Sequence, residues 1–221
     1  MARLKDQKRR TSSSRAWLTR QISDPYVARA KREGLRSRAA FKLAEIDDRY
    51  KVFKPGARVV DLGAAPGGWS EIAASRVGAK GRVVALDILD LTPIHGVDFL
   101  LLDFLDSSAP DRLKAMLGGA EGKVDVVLSD MAANTTGHRQ TDHLRIMALA
   151  EAAAYFAREV LTPGGSFLCK VLQGGTEAAL LLQLKTDFAS VKHVKPPASR
   201  ADSAELYLLA RGYRGDAPAA F

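Results

Sequence analysis

The fold of this 221-residue chain is decided by residues 59–70, which read Val59-Val60-Asp61-Leu62-Gly63-Ala64-Ala65-Pro66-Gly67-Gly68-Trp69-Ser70. An apolar run ends near Asp61, a glycine-rich turn follows, and a helical pattern begins at about Gly68. A strand, a tight loop and a helix in this order predict the opening unit of a nucleotide-binding α/β sheet. Gly63, Gly67 and Gly68 lack a Cβ, so we expect this loop to turn sharply and to approach a bound cofactor closely.

The spacing of the glycines narrows the choice of ligand. Dinucleotide loops read G-x-G-x-x-G, and phosphate loops of the Walker type need Gly-Lys-Ser/Thr. Neither pattern is present, and Pro66 and the bulky Trp69 occupy the turn instead. The loop therefore favours a nucleoside-type ligand without phosphates, with S-adenosylmethionine as the leading candidate. Trp69 either packs beside that ligand or belongs to the core.

Apolar segments alternate with helical stretches along most of the chain, which predicts a doubly wound, Rossmann-like α/β sheet with helices on both faces. Short runs rich in Val, Leu and Ile are typical of buried parallel strands. They lie at residues 57–62, 82–87, 97–102, 124–129 and 165–171. Helices are predicted between them near residues 68–77, 107–118, 141–161 and 175–187. A final β pair, 189–195 and 204–210, brings the sheet to about seven strands, mostly parallel with an antiparallel strand at the end.

An ionisable residue stands at or just beyond the carboxyl end of each predicted parallel strand: Asp61, Asp87, Asp103, Asp130 and Lys170. Ligands of open α/β sheets bind outside these strand ends, so we expect the five side chains to line one site. Asp87 is placed to accept hydrogen bonds from ribose hydroxyls, and Asp103 to meet an adenine amino group. Asp130 is expected near the reacting methyl group, where a carboxylate complements a sulfonium.

Lys170 and Glu205 are charged residues within apolar strands. A buried lysine beside a like charge is a usable base, whereas a lysine that reaches out from a strand end is the structural alternative. If the last strand runs antiparallel beside the fifth, Glu205 lies beside Lys170. A charge that faces outward from a sheet edge is the competing explanation for Glu205.

The net charge of +8 is concentrated near the N-terminus. Residues 1–42 hold thirteen of the 33 basic residues and three of the 25 acidic ones, so the rest of the chain is slightly acidic. Such a basic segment is the footprint expected for nucleic-acid phosphates, and a solvated basic tail is the alternative. The basic residues expected to contact RNA, which interleave with apolar ones, are Arg29, Lys31, Arg32, Arg36 and Arg38.

Three regions are predicted along the chain: a basic arm over residues 1–36, a catalytic domain over 37–211 and a flexible tail over 212–221. Residues 1–23 are polar and rich in Ser, so we expect them to be mobile until a partner binds. A helix is predicted after Asp24, its N-cap, and another from Ser37 to Tyr50.

Several function classes are disfavoured by composition. The single Cys169 excludes an internal disulfide framework and suits a reducing cytoplasm. The four histidines are scattered and show no metal-ligand spacing, so no metal site is expected. The sequence contains neither an apolar run long enough to span a membrane nor an apolar signal core.

Three motifs closely resemble those of the FtsJ/RrmJ (RlmE) family of S-adenosylmethionine-dependent ribose 2′-O-methyltransferases of 23S ribosomal RNA. They are residues 61–69, 36–43 and 129–131, and the similarity extends over roughly residues 25–210. The resemblance implies a catalytic tetrad at Lys42, Asp130, Lys170 and Glu205. It also implies cofactor contacts at Gly67, Trp69, Asp87, Asp103 and Asp130. One departure is Ala133, where the family pattern has proline and where the loop near the acceptor site is therefore expected to be looser.

The resemblance also implies the substrate: a uridine of the 23S ribosomal RNA A-loop, within the large ribosomal subunit or a late precursor. A cytoplasmic, monomeric enzyme is expected. The residues by themselves indicate only an S-adenosylmethionine enzyme that acts on nucleic acid. A non-catalytic RNA-binding assembly factor and a small-molecule methyltransferase or NAD-linked enzyme remain as alternatives.

Overall fold

A single mixed sheet of seven strands organises the computed structural model, which describes residues 23–119, 122–133, 136–173 and 178–215. The strand order is β3-β2-β1-β4-β5-β7-β6. Strands β1 to β5 run parallel to one another, and β7 runs antiparallel between β5 and β6. Their bounds are β1 Arg58–Leu62, β2 Arg82–Asp87, β3 Val97–Leu101, β4 Val124–Ser129, β5 Leu161–Leu172, β6 Phe188–Val194 and β7 Glu205–Tyr213.

Six helices accompany the sheet in the described ranges: α1 Pro25–Arg32, α2 Ala39–Tyr50, α3 Gly68–Val77, α4 Ala109–Leu117, α5 Arg139–Val160 and α6 Ala178–Asp187. Helices α2 and α3 bury Leu43, Ile46 and Ala73 against one face of the sheet. The other face is covered by α4, α5 and α6, whose Leu113, Phe156 and Leu184 belong to a second core. This arrangement confirms the predicted doubly wound sheet. None of these six helices is both long and apolar enough to cross a membrane.

Two strand boundaries differ from the prediction by more than one residue. Strand β5 begins at Leu161 instead of residue 165. Its pairing with β4 shifts between Val124 and Val126, and Gly164 has a φ of +86°, so the strand passes an irregularity where the sequence suggests a turn. Strand β7 continues to Tyr213, whose ring lies 5.4 Å from that of Phe188, because the apolar core extends to the end of this strand.

The first described helix confirms the capping prediction and packs onto α2. The Asp24 carboxylate accepts a hydrogen bond from the Tyr26 backbone N–H at 3.0 Å, with Pro25 as the first helical residue. The Tyr26 ring lies 5.5 Å from that of Phe41, and Ala30 is buried in the same small cluster. The expected mobility of residues 1–23 concerns a segment that, apart from Ser23, lies outside the described residues. The three-region division remains a prediction.

Candidate active site

The glycine loop and the segment after β4 meet where the strand order reverses, which is where open α/β sheets bind ligands. The Asp130 backbone N–H donates to the Leu62 carbonyl at 3.1 Å. A Cβ on Gly63, whose φ is +81°, would lie only 2.8 Å from the Cα of Met131. Gly63 therefore allows the backbone at Asp130 and Met131 to sit directly against the glycine loop.

The other two loop glycines bring α3 close to the segment ahead of α2. Gly67 caps α3 with a φ of +107°, and a Cβ there would lie 2.8 Å from the Cδ of Arg36. A Cβ on Gly68 would collide with the Ser37 hydroxyl. The close approach expected at these glycines is thus made to atoms of the protein itself. Their contact with a cofactor remains a prediction.

Asp87 ends β2 and organises the two backbone segments around it. Its Oδ2 accepts from the Ala65 N–H and its Oδ1 from the Leu89 N–H, each at 2.8 Å. Each carboxylate oxygen can accept two hydrogen bonds, so Asp87 keeps capacity for ribose hydroxyls. Asp103, two residues beyond β3, is exposed and accepts from the Leu105 N–H at 2.9 Å.

Three apolar side chains beside these carboxylates were not predicted from the sequence as part of the site. Ile88, Leu89 and Leu105 are 59%, 63% and 63% exposed, and they directly follow Asp87 or lie two residues after Asp103. Large apolar groups at such exposure favour contact with a ligand surface. Carboxylates for hydroxyl and amino groups, next to apolar side chains for a purine ring, fit the adenosine part of S-adenosylmethionine. The signal in the sequence was the apolar pair Ile88-Leu89 directly after Asp87 and Leu105 two residues after Asp103.

Asp61 lies beneath the loop and is fully buried. Its Oδ2 accepts from the Ser70 hydroxyl at 2.6 Å, whereas its Oδ1 has no hydrogen-bond partner. Burial raises the pKa of Asp61 to about 7, and the nearby charges of Asp130 and Asp87 act in the same direction against the Ser70 hydrogen bond. Asp61 therefore lies inside the protein next to the other strand-end acids, and its expected place in the lining of the ligand site remains a prediction.

Of the two roles predicted for Trp69, the structure shows the one in the core. Its side chain is buried, its indole N–H donates to the Ala39 carbonyl at 3.0 Å, and its ring lies 5.5 Å from that of Tyr207. These contacts tie α3 to the start of α2. A contact between Trp69 and the cofactor remains a prediction.

The four residues of the predicted tetrad come together as two ion pairs. The Lys170 ammonium donates to the Asp130 backbone carbonyl at 2.6 Å and lies 3.2 Å from the Asp130 carboxylate. The Lys42 ammonium donates to the Glu205 carboxylate at 2.5 Å. The side chains are between 9% and 19% exposed, so both pairs are largely shielded from solvent yet open on one side.

Tyr207 joins the two pairs and was not singled out from the sequence. Its hydroxyl lies 2.6 Å from Glu205 Oε1 and 3.2 Å from Asp130 Oδ1, and it accepts from Lys42 at 3.2 Å. Burial, together with the charges of Asp130 and Glu205, raises the pKa of Tyr207 well above its ordinary value, so the hydroxyl stays protonated. The available signal was its position two residues after Glu205, which places both side chains on one face of the strand.

The predicted neighbour of Glu205 needs a correction. In the β5–β7 register Lys170 lies opposite Tyr207, and Glu205 lies opposite Leu172. Glu205 therefore forms its ion pair with Lys42 from α2 instead of Lys170. Burial opposes the ionisation of Glu205, but the charges of Lys42 and Lys170 and the hydrogen bonds from Lys42 and Tyr207 outweigh it. The pKa of Glu205 consequently lies below its ordinary value.

The five basic residues expected to contact RNA fall into two groups. Arg36 donates to the Thr92 and Pro93 carbonyls, and Arg38 pairs with Asp24 at 3.0 Å, so both hold the chain ahead of α2 in place. Arg29 pairs with Glu33 on the exposed side of α1, where Lys31 and Arg32 are also exposed. RNA contact remains a prediction for all five. Lys31 and Arg32 have fewer described partners within the protein than the other three.

The relationships of the chain agree with this geometry. Residues 35–213 match the FtsJ-like methyltransferase family. The chain belongs to this family. Its membership confirms the predicted family, the methyltransferase activity and S-adenosylmethionine as the methyl donor.

Relatives are similar over nearly the whole chain. A protein of Azorhizobium caulinodans named ribosomal RNA large subunit methyltransferase E is 62% identical over 218 residues, which cover 97% of this chain and 90% of the relative. A protein of the same name from Rhodopseudomonas palustris strain BisA53 is 65% identical over 206 residues, covering 92% and 86%. A Plasmodium falciparum crystal structure named as a ribosomal RNA methyltransferase is 28% identical, with a TM-score of 0.72 over 81% of this chain and 99% of that one.

Proposed function

We propose that this FtsJ-like methyltransferase transfers a methyl group from S-adenosylmethionine to a ribose 2′-hydroxyl of large-subunit ribosomal RNA. The acceptor is a uridine of the 23S ribosomal RNA A-loop, in the large subunit or a late precursor, and the enzyme acts as a monomer in the cytoplasm. The observation that carries the proposal is the cluster of two ion pairs beside the glycine loop, Lys170–Asp130 and Lys42–Glu205. The names of the close relatives support ribosomal RNA as the substrate.

Lys170 is the group that handles the proton of the acceptor hydroxyl. When bound, S-adenosylmethionine would supply an electrophilic methyl group, whose carbon the ribose oxygen attacks in line while the bond to sulfur breaks and the neutral thioether leaves. A ribose hydroxyl is a poor nucleophile, so its proton must leave as the bond to carbon forms. The backbone carbonyl and the carboxylate of Asp130 hold the Lys170 nitrogen in place. In its neutral form this nitrogen accepts the hydroxyl proton.

Lys42 orients the acceptor from the other side. Its ammonium has three N–H donors, of which Glu205 and Tyr207 take two. The third is available to an oxygen of the acceptor nucleotide. Glu205 remains ionised down to low pH and balances the charge of Lys42, so the pair keeps its geometry across the physiological range.

The remaining site residues bind the two substrates. Asp87 and Asp103, with Ile88, hold the adenosine part of the donor at the ends of β2 and β3. Lys31 and Arg32 on α1 bind the RNA backbone. Phosphate contacts of this kind position a nucleic acid without reading its sequence.

The proposal is tested by methyl transfer from labelled S-adenosylmethionine. The protein is offered large ribosomal subunits that lack the modification, the naked ribosomal RNA and small hydroxyl compounds. Label is expected in the RNA with wild type and with Lys185→Gln, a control on the far face of the sheet. With Lys170→Ala the label disappears while binding of donor and subunits persists. Label in small acceptors alone would indicate a small-molecule methyltransferase, and equal inactivity of wild type and Lys170→Ala with retained RNA binding would indicate an assembly factor.

A further inference from the structure

A cleft of about 560 Å³ opens at the amino-terminal edge of the sheet, on the opposite edge from the ion pairs. It is bounded by the residues that precede or begin β1, β4, β5 and β6 and by the last part of β7. Its lining includes Ala57, Asp125, Gly165, Ser190 and Gly212. None of the cofactor or acceptor residues described above contributes to it, so the cleft is a separate feature of the fold.

The cleft is separated from the tetrad by the length of one helix. Lys42 and Lys51 are nine residues apart along α2 and its C-cap, which corresponds to about 13 Å at 1.5 Å per residue. Lys170 and Ser166, which lines the cleft, are four residues apart on β5, again about 13 Å at about 3.3 Å per residue. A ligand in the cleft therefore cannot touch the acceptor group, whereas a long polyanion can reach both edges.

Three cationic side chains line the cleft: Lys51, Lys54 and Arg211. All three are exposed, and no ion pair links any of them to an acid within the described ranges. The one acid of the lining is Asp125, whose Oδ2 already accepts from the Arg58 backbone N–H at 2.8 Å. The cleft consequently carries a positive potential that internal partners do not neutralise.

The positive surface continues from the cleft across the end of α2. The Arg49 guanidinium lies 5.2 Å, and the Lys192 ammonium 6.0 Å, from the centre of the Tyr50 ring. The acids of this helix end offset these two charges only in part, because Asp47 and Asp48 share Arg76 and together with it leave one net negative charge. We call the cleft cations together with Arg49 and Lys192 the amino-edge basic surface.

Lys51 stands in a conformation that favours glycine. It is the C-cap of α2 with a φ of +52°, and it is the one non-glycine residue with positive φ in the described chain. Glycine adopts this conformation without steric cost and is the usual residue at helix ends of this kind. The helix dipole favours a cation at this helix end, and the exposed ammonium of Lys51 is also available to an anion.

We propose that the amino-edge basic surface binds the phosphate backbone of the RNA substrate at a point remote from the acceptor nucleotide. This rests on the proposed function, because only a large RNA reaches from the tetrad around α2 to the opposite edge. Flexible lysines and an arginine on an open surface suit backbone phosphates, which are contacted without regard to sequence. The net charge of the sequence does not reveal these cations, because residues 43–221 are slightly acidic in total.

The first test compares two variants with the same loss of charge. Lys54→Gln/Arg211→Gln removes two cations from the cleft, and Arg112→Gln/Lys185→Gln removes two exposed cations from α4 and α6. Binding to unmodified large subunits is measured by titration over a range of salt concentrations. The cleft variant is expected to bind several-fold more weakly, with the slope of log K against log salt reduced by about 1.4–1.8, since each phosphate contact contributes about 0.7–0.9. The control variant keeps the wild-type slope, and both variants keep wild-type affinity for S-adenosylmethionine.

The second test uses Lys51→Gly, which separates stability from binding. Glycine relieves the left-handed backbone, so the melting temperature is expected to stay the same or to rise. The affinity for subunits is nevertheless expected to fall and the salt slope to decrease by about 0.7–0.9. A structural role of Lys51 would instead lower the melting temperature and leave the salt slope unchanged.

Two results would overturn the proposal. A wild-type salt slope in Lys54→Gln/Arg211→Gln would show that the cleft makes no phosphate contact. Weaker binding with an unchanged slope would show that the cleft contacts a protein surface of the subunit. Either result is compatible with methylation by the wild-type protein, whereas failure of wild type to methylate subunits contradicts the proposed function itself.

Discussion

The two edges of the sheet hold their charges in opposite ways. At the carboxyl edge, Lys42, Asp130, Lys170 and Glu205 form two direct pairs and are at most 19% exposed. At the amino edge, Lys51, Lys54 and Arg211 are exposed and form no ion pair with the described acids. Paired, shielded charges are held in a fixed geometry, as chemistry requires. Exposed cations are free to follow a polyanion, and their effect is expected to depend strongly on salt.

Lys170→Ala should produce the largest loss. It removes the group that we assign to the hydroxyl proton, and proton-transfer groups contribute about 10²- to 10⁴-fold to a rate. A drop of at least about 100-fold in the single-turnover rate is expected at saturating donor and RNA, without a change in salt slope. Lys170→Arg keeps the charge but does not deprotonate near neutral pH, so it should lose most of the rate as well. A near-wild-type rate in Lys170→Arg would leave Lys170 with a purely electrostatic role.

The second-largest effect is expected for Asp87→Ala, which should weaken the binding of S-adenosylmethionine. The ribose hydroxyls lose a charged partner worth about 1.5–3 kcal/mol, which corresponds to about 10- to 100-fold in Kd. The Ala65 and Leu89 N–H groups also lose their acceptor, so the glycine loop is held less firmly. Calorimetry with S-adenosylmethionine measures the effect, and Asp103→Ala serves as a comparison with an expected smaller loss. Unchanged affinity in Asp87→Ala would remove this residue from the donor site.

Asp61→Asn should alter the pH dependence of stability at the carboxyl edge. The pKa of Asp61 is raised in the folded protein to about 7, so its contribution is fully present below about pH 4 and is lost as the pH rises through 7. Across that window, this one group lowers the free energy of unfolding by up to about 1.4 kcal/mol for each pH unit. Urea unfolding between pH 5 and 8 should therefore show a smaller decline for the variant than for wild type. Parallel curves would mean that Asp61 is ionised throughout.

Lys31→Gln/Arg32→Gln should weaken RNA binding by a smaller, salt-dependent factor. We expect a several-fold loss at low salt and a reduction of the slope of log K against log salt by about 1.4–1.8. Arg38→Ala is the contrasting variant: it removes the Asp24 ion pair and the bond to the Ala198 carbonyl, so it should lower the melting temperature as well. An unchanged slope in the double variant would leave α1 without a docking role.

Tyr207→Phe should have the smallest effect on catalysis. Its hydroxyl touches both ion pairs, but each pair is also direct, at 2.5 Å between Lys42 and Glu205 and 3.2 Å between Lys170 and Asp130. The variant should therefore keep the single-turnover rate within about tenfold of wild type, while losing about 1 kcal/mol of stability for a buried hydrogen bond. A loss comparable to that of Lys170→Ala would place the hydroxyl in the reaction itself.

Much of the carboxyl edge was predictable because the sheet imposes a rule on strand ends. Parallel strands read as apolar runs, and the residues that follow them must meet at one edge, as Asp61, Asp87 and Asp130 do. The resemblance of the motifs then supplied Lys42, which lies on a helix that no strand-end argument addresses. What pattern reading missed was register: it placed Glu205 beside Lys170, whereas the pairing of β5 with β7 puts Tyr207 there.

The basic surface of the amino edge could not be predicted from the sequence, for a different reason. Arg49, Lys51, Lys54, Lys192 and Arg211 are brought together by folding from three separate stretches of the chain. Over residues 43–221 as a whole, acidic residues cancel the charge of these cations, although residues such as Asp47 pair with other partners in space. The sequence also did not indicate that a Cβ at Gly68 would collide with the Ser37 hydroxyl, whereas contact of this glycine with the cofactor remains a prediction.

The central claim is tested most directly by locating the methyl group that the protein adds. Unmodified large subunits are incubated with wild type or Lys170→Ala and labelled S-adenosylmethionine, and the RNA is then hydrolysed in alkali. A 2′-O-methyl group blocks cleavage of the adjacent phosphodiester, so we expect the label from wild type in one alkali-resistant dinucleotide that contains uridine, and no label with Lys170→Ala. Label that is released as a base-methylated mononucleotide, or equal labelling by the two proteins, would contradict ribose methylation by this tetrad.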